Sequence, residues 1–332
     1  MTESKRLYLG IGIGTYSDPA FAELPKAEED VGRLGDYLDQ HRGYSVETIL
    51  DPTEDEARSA LKRHLKTNAL PPGSALVLLW AGHGEMVPEA LHLIAKDTEQ
   101  GAAPDLTPET LASFVARCGA TQALLLLDTC FSGAGVFDVH RVVDQVRREG
   151  ADERAWLGVL ASTLDFDRAR DGVFIDRLLH LLEKGPTDPT LQTRWSAHNE
   201  GVRGDDLMDA LVKEWNLPDQ RPKPAAFGDA WPMFPNPRFD PEAPERVVEH
   251  LLLAAEGRAP NEEGVYFTGR TTQLGTLVQW MQAGKPGVFV ITGPAGSGKS
   301  AIAGRIVSLS NPAQRARLRA AGPLGSADPG EG

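Results

Sequence analysis

Two residues of this chain carry chemistry by type and by setting. Cys130 sits in Ala123–Gly135, read Ala-Leu-Leu-Leu-Leu-Asp-Thr-Cys-Phe-Ser-Gly-Ala-Gly, two residues after an acid that ends an apolar run. His83 sits in Trp80-Ala81-Gly82-His83-Gly84, after a second apolar run, Ala75–Trp80. A thiol ionises near pH 8.5, about the range where a neighbouring imidazole can take its proton, so no strong activation is needed for it to become a nucleophile. In that reading Cys130 attacks an acyl carbon. His83 promotes the thiolate and protonates the leaving amine, and backbone N–H groups near Gly84 and Cys130 stabilise the tetrahedral oxyanion. The other reading of the same pair is a small apolar core cysteine and an unrelated loop histidine.

The elements must bring the two together. Uninterrupted apolar runs stopped by turn residues fit strands buried on both faces of a parallel sheet, and such sheets gather catalytic groups at the carboxyl ends of their strands. Strands are expected at Leu7–Gly14, Ser45–Leu50, Ala75–Trp80, Leu124–Leu127 and Trp156–Ala161, with a small one at Leu91–Ala95. Helices are expected at Ala27–His41, Glu54–Lys66, from Thr107-Pro108 to about Arg117, Val139–Arg148, Phe174–Glu183 and Asp205–Trp215. The alternation predicts an α/β sandwich with a largely parallel sheet. The proline-rich stretch Pro222–Pro244 reads as loop and linker, so the first domain is placed at residues 1–237, a linker at 238–264 and a second pattern at 265–332.

The blocks Trp80–Gly84 and Asp128-Thr129-Cys130-Phe131-Ser132-Gly133 resemble the two catalytic blocks of caspase-like cysteine peptidases, closest to the bacterial, metacaspase and paracaspase branches. The spacing of 47 residues, 130 − 83, agrees with a histidine about 50 residues upstream of a caspase cysteine. The resemblance covers roughly Leu7–Pro237, and Gly158–Ser162 followed by Gly172-Val173-Phe174 is similar to the later part of that fold. It implies a three-layer α/β/α sandwich and a cysteine endopeptidase. The Gln-Ala-Cys signature of animal caspases is absent, so aspartate specificity does not follow.

What the resemblance implies about specificity lies in the acids. In the metacaspase and paracaspase branches an acid two residues before the cysteine lines the pocket for the residue preceding the cut bond. Asp128 matches it, and Asp30, within Leu24-Pro25-Lys26-Ala27-Glu28-Glu29-Asp30, matches a second acid from the first helix. Two carboxylates in one small pocket repel unless a cation joins them, so an Arg or Lys side chain of a protein or peptide substrate is the expected ligand. Asp165 or Asp167 would add a third acid. The plain alternatives are a solvated helix acid for Asp30 and a strand-end turn former for Asp128. Cys118 reads as a buried, inert thiol. Proteolysis needs no cofactor in this reading, and the acids are too generic to define the Ca²⁺ site that some metacaspases use.

Gly293-Pro294-Ala295-Gly296-Ser297-Gly298-Lys299-Ser300 matches G-x-x-x-x-G-K-[ST] between an expected buried strand, Gly287–Thr292, and an expected helix, Ala301–Ser308. Gly293, Gly296 and Gly298 would let backbone N–H groups cradle the phosphates of ATP, with Lys299 on the outer phosphates and Ser300 on Mg²⁺. Phe267-Thr268-Gly269-Arg270, with the helix Thr272–Ala283 behind it, resembles the start of a signal-transducing NTPase of the NACHT/STAND kind. That resemblance implies a nucleotide-gated module that self-associates and controls an N-terminal effector, as in bacterial defence or cell death. About 30 residues follow the loop, too few for the remaining strands of such a domain, so the chain is expected to be a fragment of a larger protein with little ATPase activity.

Composition limits the other function classes. The net charge of −13 argues against a general nucleic-acid or membrane-surface binder. Two cysteines exclude a disulfide framework and suit a reducing, cytoplasmic setting. Lys5-Arg6 before Leu7–Ile13 could suggest a signal peptide, but the apolar part is short and glycine-interrupted, so a first β-strand is expected. Two further functions remain open: a catalytically silent caspase-like interaction module on a nucleotide-binding switch, and an ATPase carrying a passenger domain.

Overall fold

Strands alternate with helices along the first two-thirds of the chain, and their apolar residues face two sides. The computed structural model describes residues 4–87, 90–132, 138–148, 155–162, 172–191, 194–217, 221–242, 251, 269–284, 286–294 and 296–321. The chain divides into two compact units, Met1–Phe239 and Asp240–Gly332.

In the first unit the order is β1 (Arg6–Gly12), α1 (Pro25–Arg42), β2 (Ser45–Leu50), α2 (Glu54–His64), β3 (Ala75–Val87), β4 (Ala90–Leu93), α3 (Pro108–Arg117), β5 (Gln122–Ser132), α4 (Val139–Arg148), β6 (Trp156–Ser162), α5 (Val173–Lys184), β7 (Gly201–Arg203), α6 (Gly204–Lys213), β8 (Lys223–Phe227) and β9 (Pro232–Pro235). The main sheet is ordered β2-β1-β3-β5-β6-β8, with β4 paired to β3 beside that path. The pairs from β2 to β6 are parallel, while β8 on β6 and β4 on β3 are antiparallel. This is the expected α/β sandwich with a mostly parallel sheet.

Strand alternation divides the core. Leu76, Leu78 and Trp80 of β3 and Leu125 and Leu127 of β5 pack with α2, α3 and α4 on one face. Val77, Leu79, Leu124 and Leu126 pack with α1, α5 and α6 on the other. The local signals behave as their chemistry requires. Thr53 and Glu56 form a reciprocal capping box at α2, and the Thr107 hydroxyl accepts from the Thr110 N–H at the start of α3, with Pro108 in the first turn. Cys118 is fully buried, its thiol donates to the Val115 carbonyl at 3.2 Å, and burial pushes its pKa up.

Three expectations need correction. The proline-rich stretch is not all loop: it contains β8, paired with β6, and β9, paired with β7. Proline lacks a ladder donor but is tolerated on an edge strand, and Pro224 lies on such an edge, opposite Leu160. The strands of the active-site region also run further than their apolar cores, β3 to Val87 and β5 to Ser132, so His83 and Gly84 lie within a strand and not in a loop beyond it. Their outer residues are less apolar because they leave the sandwich core while keeping their ladder.

The third correction concerns the second unit, where α7 (Thr271–Gln282), α8 (Lys299–Ser310) and α9 (Pro312–Ala321) are helical. Leu274, Leu277, Ile302, Leu309 and Leu318 form its small core. Residues 287–292 are not a buried strand: Val288 is 88% and Val290 70% exposed. No strand pairs with them among the described residues, and only Ile291 and Phe289 find cover, against the small core and Trp280.

Candidate active site

The site lies where the sheet narrows. β1 follows β3 only as far as Ala81, and β6 follows β5 only to the pair Asp128–Ser162. Beyond those points β3 and β5 continue together, pairing His83 with Cys130, Gly84 with Phe131 and Glu85 with Ser132. Neighbouring strands are about 4.8 Å apart, so this register sets the backbones of the histidine and the cysteine side by side. Both flanking ladders end before this pair, which lies at the carboxyl edge of the strands, where parallel sheets hold their ligands. Gly84 is held within the same ribbon, with β4 residue Leu93 as its antiparallel partner.

The loop from Ile13 to Leu24 holds His83 through three residues that the sequence did not single out. The His83 N–H donates to Tyr16 Oη at 2.9 Å, and its Nε2 lies 2.8 Å from the Ala22 carbonyl oxygen. A carbonyl only accepts, so Nε2 carries a proton and Nδ1 is the nitrogen that exchanges one. The rings of Tyr16 and Phe21 lie 4.9 Å and 5.6 Å from the imidazole, centroid to centroid. Gly82 permits this approach: its φ is +156°, and a Cβ there would stand 3.0 Å from Tyr16 Oη.

The two matching acids also converge. Asp30, on the second turn of α1, is 1% exposed, and Asp128 follows Leu126 by two residues on the face that α1 covers. Burial, and then the charge of Asp128, raise the Asp30 carboxyl to about 7. The nearby Arg33 opposes that rise. Its Nη1 donates to Asp30 Oδ1 at 3.0 Å and to Asp176 Oδ1, in the first turn of α5, at 2.6 Å. Asp128 is itself oriented by the buried Ser162, whose hydroxyl donates to Asp128 Oδ1 at 2.7 Å. Arg33, Asp176 and Ser162 were not singled out as site residues. Asp30 and Asp176 are 146 positions apart, so no local pattern announces the cluster. Asp165 and Asp167 lie outside the described residues.

With this geometry in hand, known proteins offer a comparison. The family model for the caspase domain matches residues 5–207, well over half of the chain. The chain belongs to the caspase-domain family. The matched segment of this caspase domain contains β1 through β7, and therefore both His83 and Cys130. A structural-genomics protein from Geobacter sulfurreducens is similar at 19% identity and a TM-score of 0.48, over 71% of this chain and 98% of its own. Caspase-1 from Spodoptera frugiperda is similar at 12% identity and a TM-score of 0.42, over 70% and 91%. No curated protein matches the chain.

In the second unit, Lys299 Nζ donates to the carbonyls of Gly293 and Pro294 at 2.9 Å and 2.8 Å. Gly296 and Gly298 have φ of +73° and +82°, and a Cβ at either would meet open space. Ser300 is exposed on the first turn of α8. Among the described residues no group of three or more His, Cys, Asp or Glu could hold a metal ion, and no helix is long and apolar enough to cross a membrane.

Proposed function

We propose that this caspase domain is a cysteine endopeptidase that cuts after Arg or Lys, with Cys130 as nucleophile and His83 as its base and acid. The observation that carries the reading is the register of His83 with Cys130 beside the Asp30–Asp128 pair. The thiol proton passes to His83 Nδ1, because Nε2 is committed to the Ala22 carbonyl. The thiolate adds to the scissile carbonyl, and the oxyanion is met by backbone N–H groups near Gly84 and Cys130. His83 then gives its proton to the leaving amine, and a water molecule hydrolyses the thioester by the reverse sequence of proton transfers. The carboxylates of Asp30 and Asp128 would receive the guanidinium or ammonium of the residue before the cut, which satisfies both charges at once.

For the second unit we propose that residues 293–300 bind nucleotide phosphates, with Mg²⁺ at Ser300. The motif and the left-handed glycines at 296 and 298, which keep side chains out of the cradle, support this reading. The NACHT/STAND resemblance around Phe267–Arg270 and the loop is the support for self-association and for control of proteolysis in defence or cell death.

A panel of fluorogenic peptides differing only before the scissile bond tests the peptidase reading. Arg and Lys peptides are expected to be cleaved by the native chain and not by Cys130→Ala. A preference for Asp would remove the acidic-pocket argument, and cleavage surviving Cys130→Ala would remove the mechanism.

A further inference from the structure

The loop that carries Tyr16, Phe21 and Ala22 surrounds His83 with more than a hydrogen-bond acceptor. Two aromatic rings flank the imidazole at 4.9 Å and 5.6 Å, tilted 46° and 33° to it, and they touch each other at 5.5 Å. Tyr16 is fixed at its far end as well, since its hydroxyl donates to the Ile13 carbonyl at 3.0 Å while accepting from the His83 N–H. Phe21 is only 8% exposed.

The loop is stapled to its surroundings by backbone groups, so the rings are held before any substrate arrives. Gly14 and Thr15 N–H donate to Asp51 Oδ1 at 2.8 Å and 3.0 Å, Ser17 N–H donates to the Lys96 carbonyl at 2.8 Å, and Leu24 N–H returns to the Gly14 carbonyl at 2.8 Å. Asp51 itself holds a left-handed backbone, φ 48°, to reach the two amides.

We propose that Tyr16 and Phe21 are positioning residues that hold His83 as the imidazolium partner of the Cys130 thiolate. An aromatic face carries negative charge density, and a cation within about 6 Å of the ring centroid is attracted to it. The Ala22 carbonyl on Nε2 accepts from the neutral and the protonated ring alike, and more strongly from the protonated one. Proton transfer from Cys130 Sγ to His83 Nδ1 breaks the S–H bond, forms the N–H bond and leaves the electron pair on sulfur. The rings stabilise the cation this transfer creates more than they stabilise the neutral ring. This deepens the proposed peptidase function and rests on it for the role of the ion pair.

Among the described residues, the other ionisable groups around His83 mostly have partners of their own. On β3, Glu85 accepts from the Gly101 N–H at 3.0 Å, and on the loop Asp18 accepts from the N–H groups of Ala20 and Gln100. His92 on β4 lies between the carbonyls of Pro104 and Val87, and Glu23 follows Ala22. Cys130 on β5 is the ladder partner of His83.

The test is a nuclear magnetic resonance titration of His83 in the Cys130→Ala chain, where the thiolate cannot contribute. Phe21→Leu is expected to make protonation about two- to fivefold weaker, a downward move of the midpoint by about half a pH unit. If Phe21→Leu does not fold, pentafluorophenylalanine at position 21 keeps the shape, reverses the ring's polarity and should move the midpoint the same way. An unchanged midpoint in a folded variant overturns the proposal. Tyr16→Phe should keep the midpoint in the Cys130→Ala background and, with Cys130 present, lower kcat at unchanged KM, because it retains the ring and loses the acceptor of the His83 N–H. A lowered midpoint in that variant would contradict the assignment to the ring. Failure of the native chain to cleave basic peptides, with the titration shift present, would remove the peptidase function and leave the imidazolium cage standing.

Discussion

Asp30→Asn should change how stability depends on pH, and the size of the change follows from the structure. Asp30 is 1% exposed and its carboxyl is raised from 3.8 to about 7, first by burial and then by Asp128. Between those two values the folded chain holds a proton that the unfolded chain has released. Stability contributed by Asp30 therefore falls as pH rises through this window, and the loss is complete above about pH 7. From pH 5 to pH 8 the loss comes to about 2.5 kcal/mol, from roughly 1.4 kcal/mol per pH unit in the part of the window covered. Asn at this position neither gains nor loses a proton. Urea unfolding of Cys130→Ala and of Cys130→Ala with Asp30→Asn, at pH 5, 6, 7 and 8, isolates the difference. The Asn variant should gain on its parent by about 2.5 kcal/mol across the series. Parallel curves, within about 0.5 kcal/mol, would refute the claim that Asp30 is a buried carboxyl coupled to a second acid.

Three further outcomes follow from the same contacts. Ser162→Ala removes the donor to Asp128 and should lower kcat/KM for an Arg peptide about tenfold, the effect of losing roughly 1.5 kcal/mol from a hydrogen bond to a charged group; a Gln peptide in the same assay should change less. Gly82→Ala brings a Cβ within 3.0 Å of Tyr16 Oη at a φ of +156°, and should destabilise by about 1–2 kcal/mol while reducing kcat, measured by thermal unfolding and peptide hydrolysis. Thr53→Ala breaks the α2 capping box and should cost about 1 kcal/mol of stability without altering kcat/KM, which makes it a control for effects of stability alone.

Much of the architecture is legible in the sequence because it is written as apolar periodicity. β2 and α4 have the bounds that pattern predicts, and Thr107-Pro108 opens α3 as capping chemistry requires. What escapes is structure held by backbone pairing without an apolar signature. His83–Glu85 of β3 and Cys130–Ser132 of β5 form a ladder with each other beyond the flanking strands, so their composition reads as turn. β8 and β9 hide in a proline-rich stretch for the same reason. The opposite error occurs at residues 287–292, where an apolar run promises a strand and Val288 and Val290 stand exposed. Apolar composition makes a strand only when neighbours supply a ladder and cover.

The site divides along the same line. His83, Cys130, Asp30 and Asp128 are visible because their types do chemistry and their surroundings resemble known blocks. Ala22 contributes a main-chain oxygen, which no residue type reveals, and Arg33 meets Asp176 across 143 positions. Tyr16 and Phe21 read as ordinary loop aromatics until the loop closes on His83.

The account stands or falls on a reactive Cys130 whose pocket selects a basic side chain. Peptidyl electrophiles that present Arg or Asp before the reactive carbon can be incubated with the native chain at neutral pH, followed by mapping of the modified residue by mass spectrometry. The account predicts a thioether on Cys130 from the Arg reagent, much less from the Asp reagent, and none in His83→Ala at the same exposure. No adduct on Cys130, or equal labelling by both reagents, would contradict it.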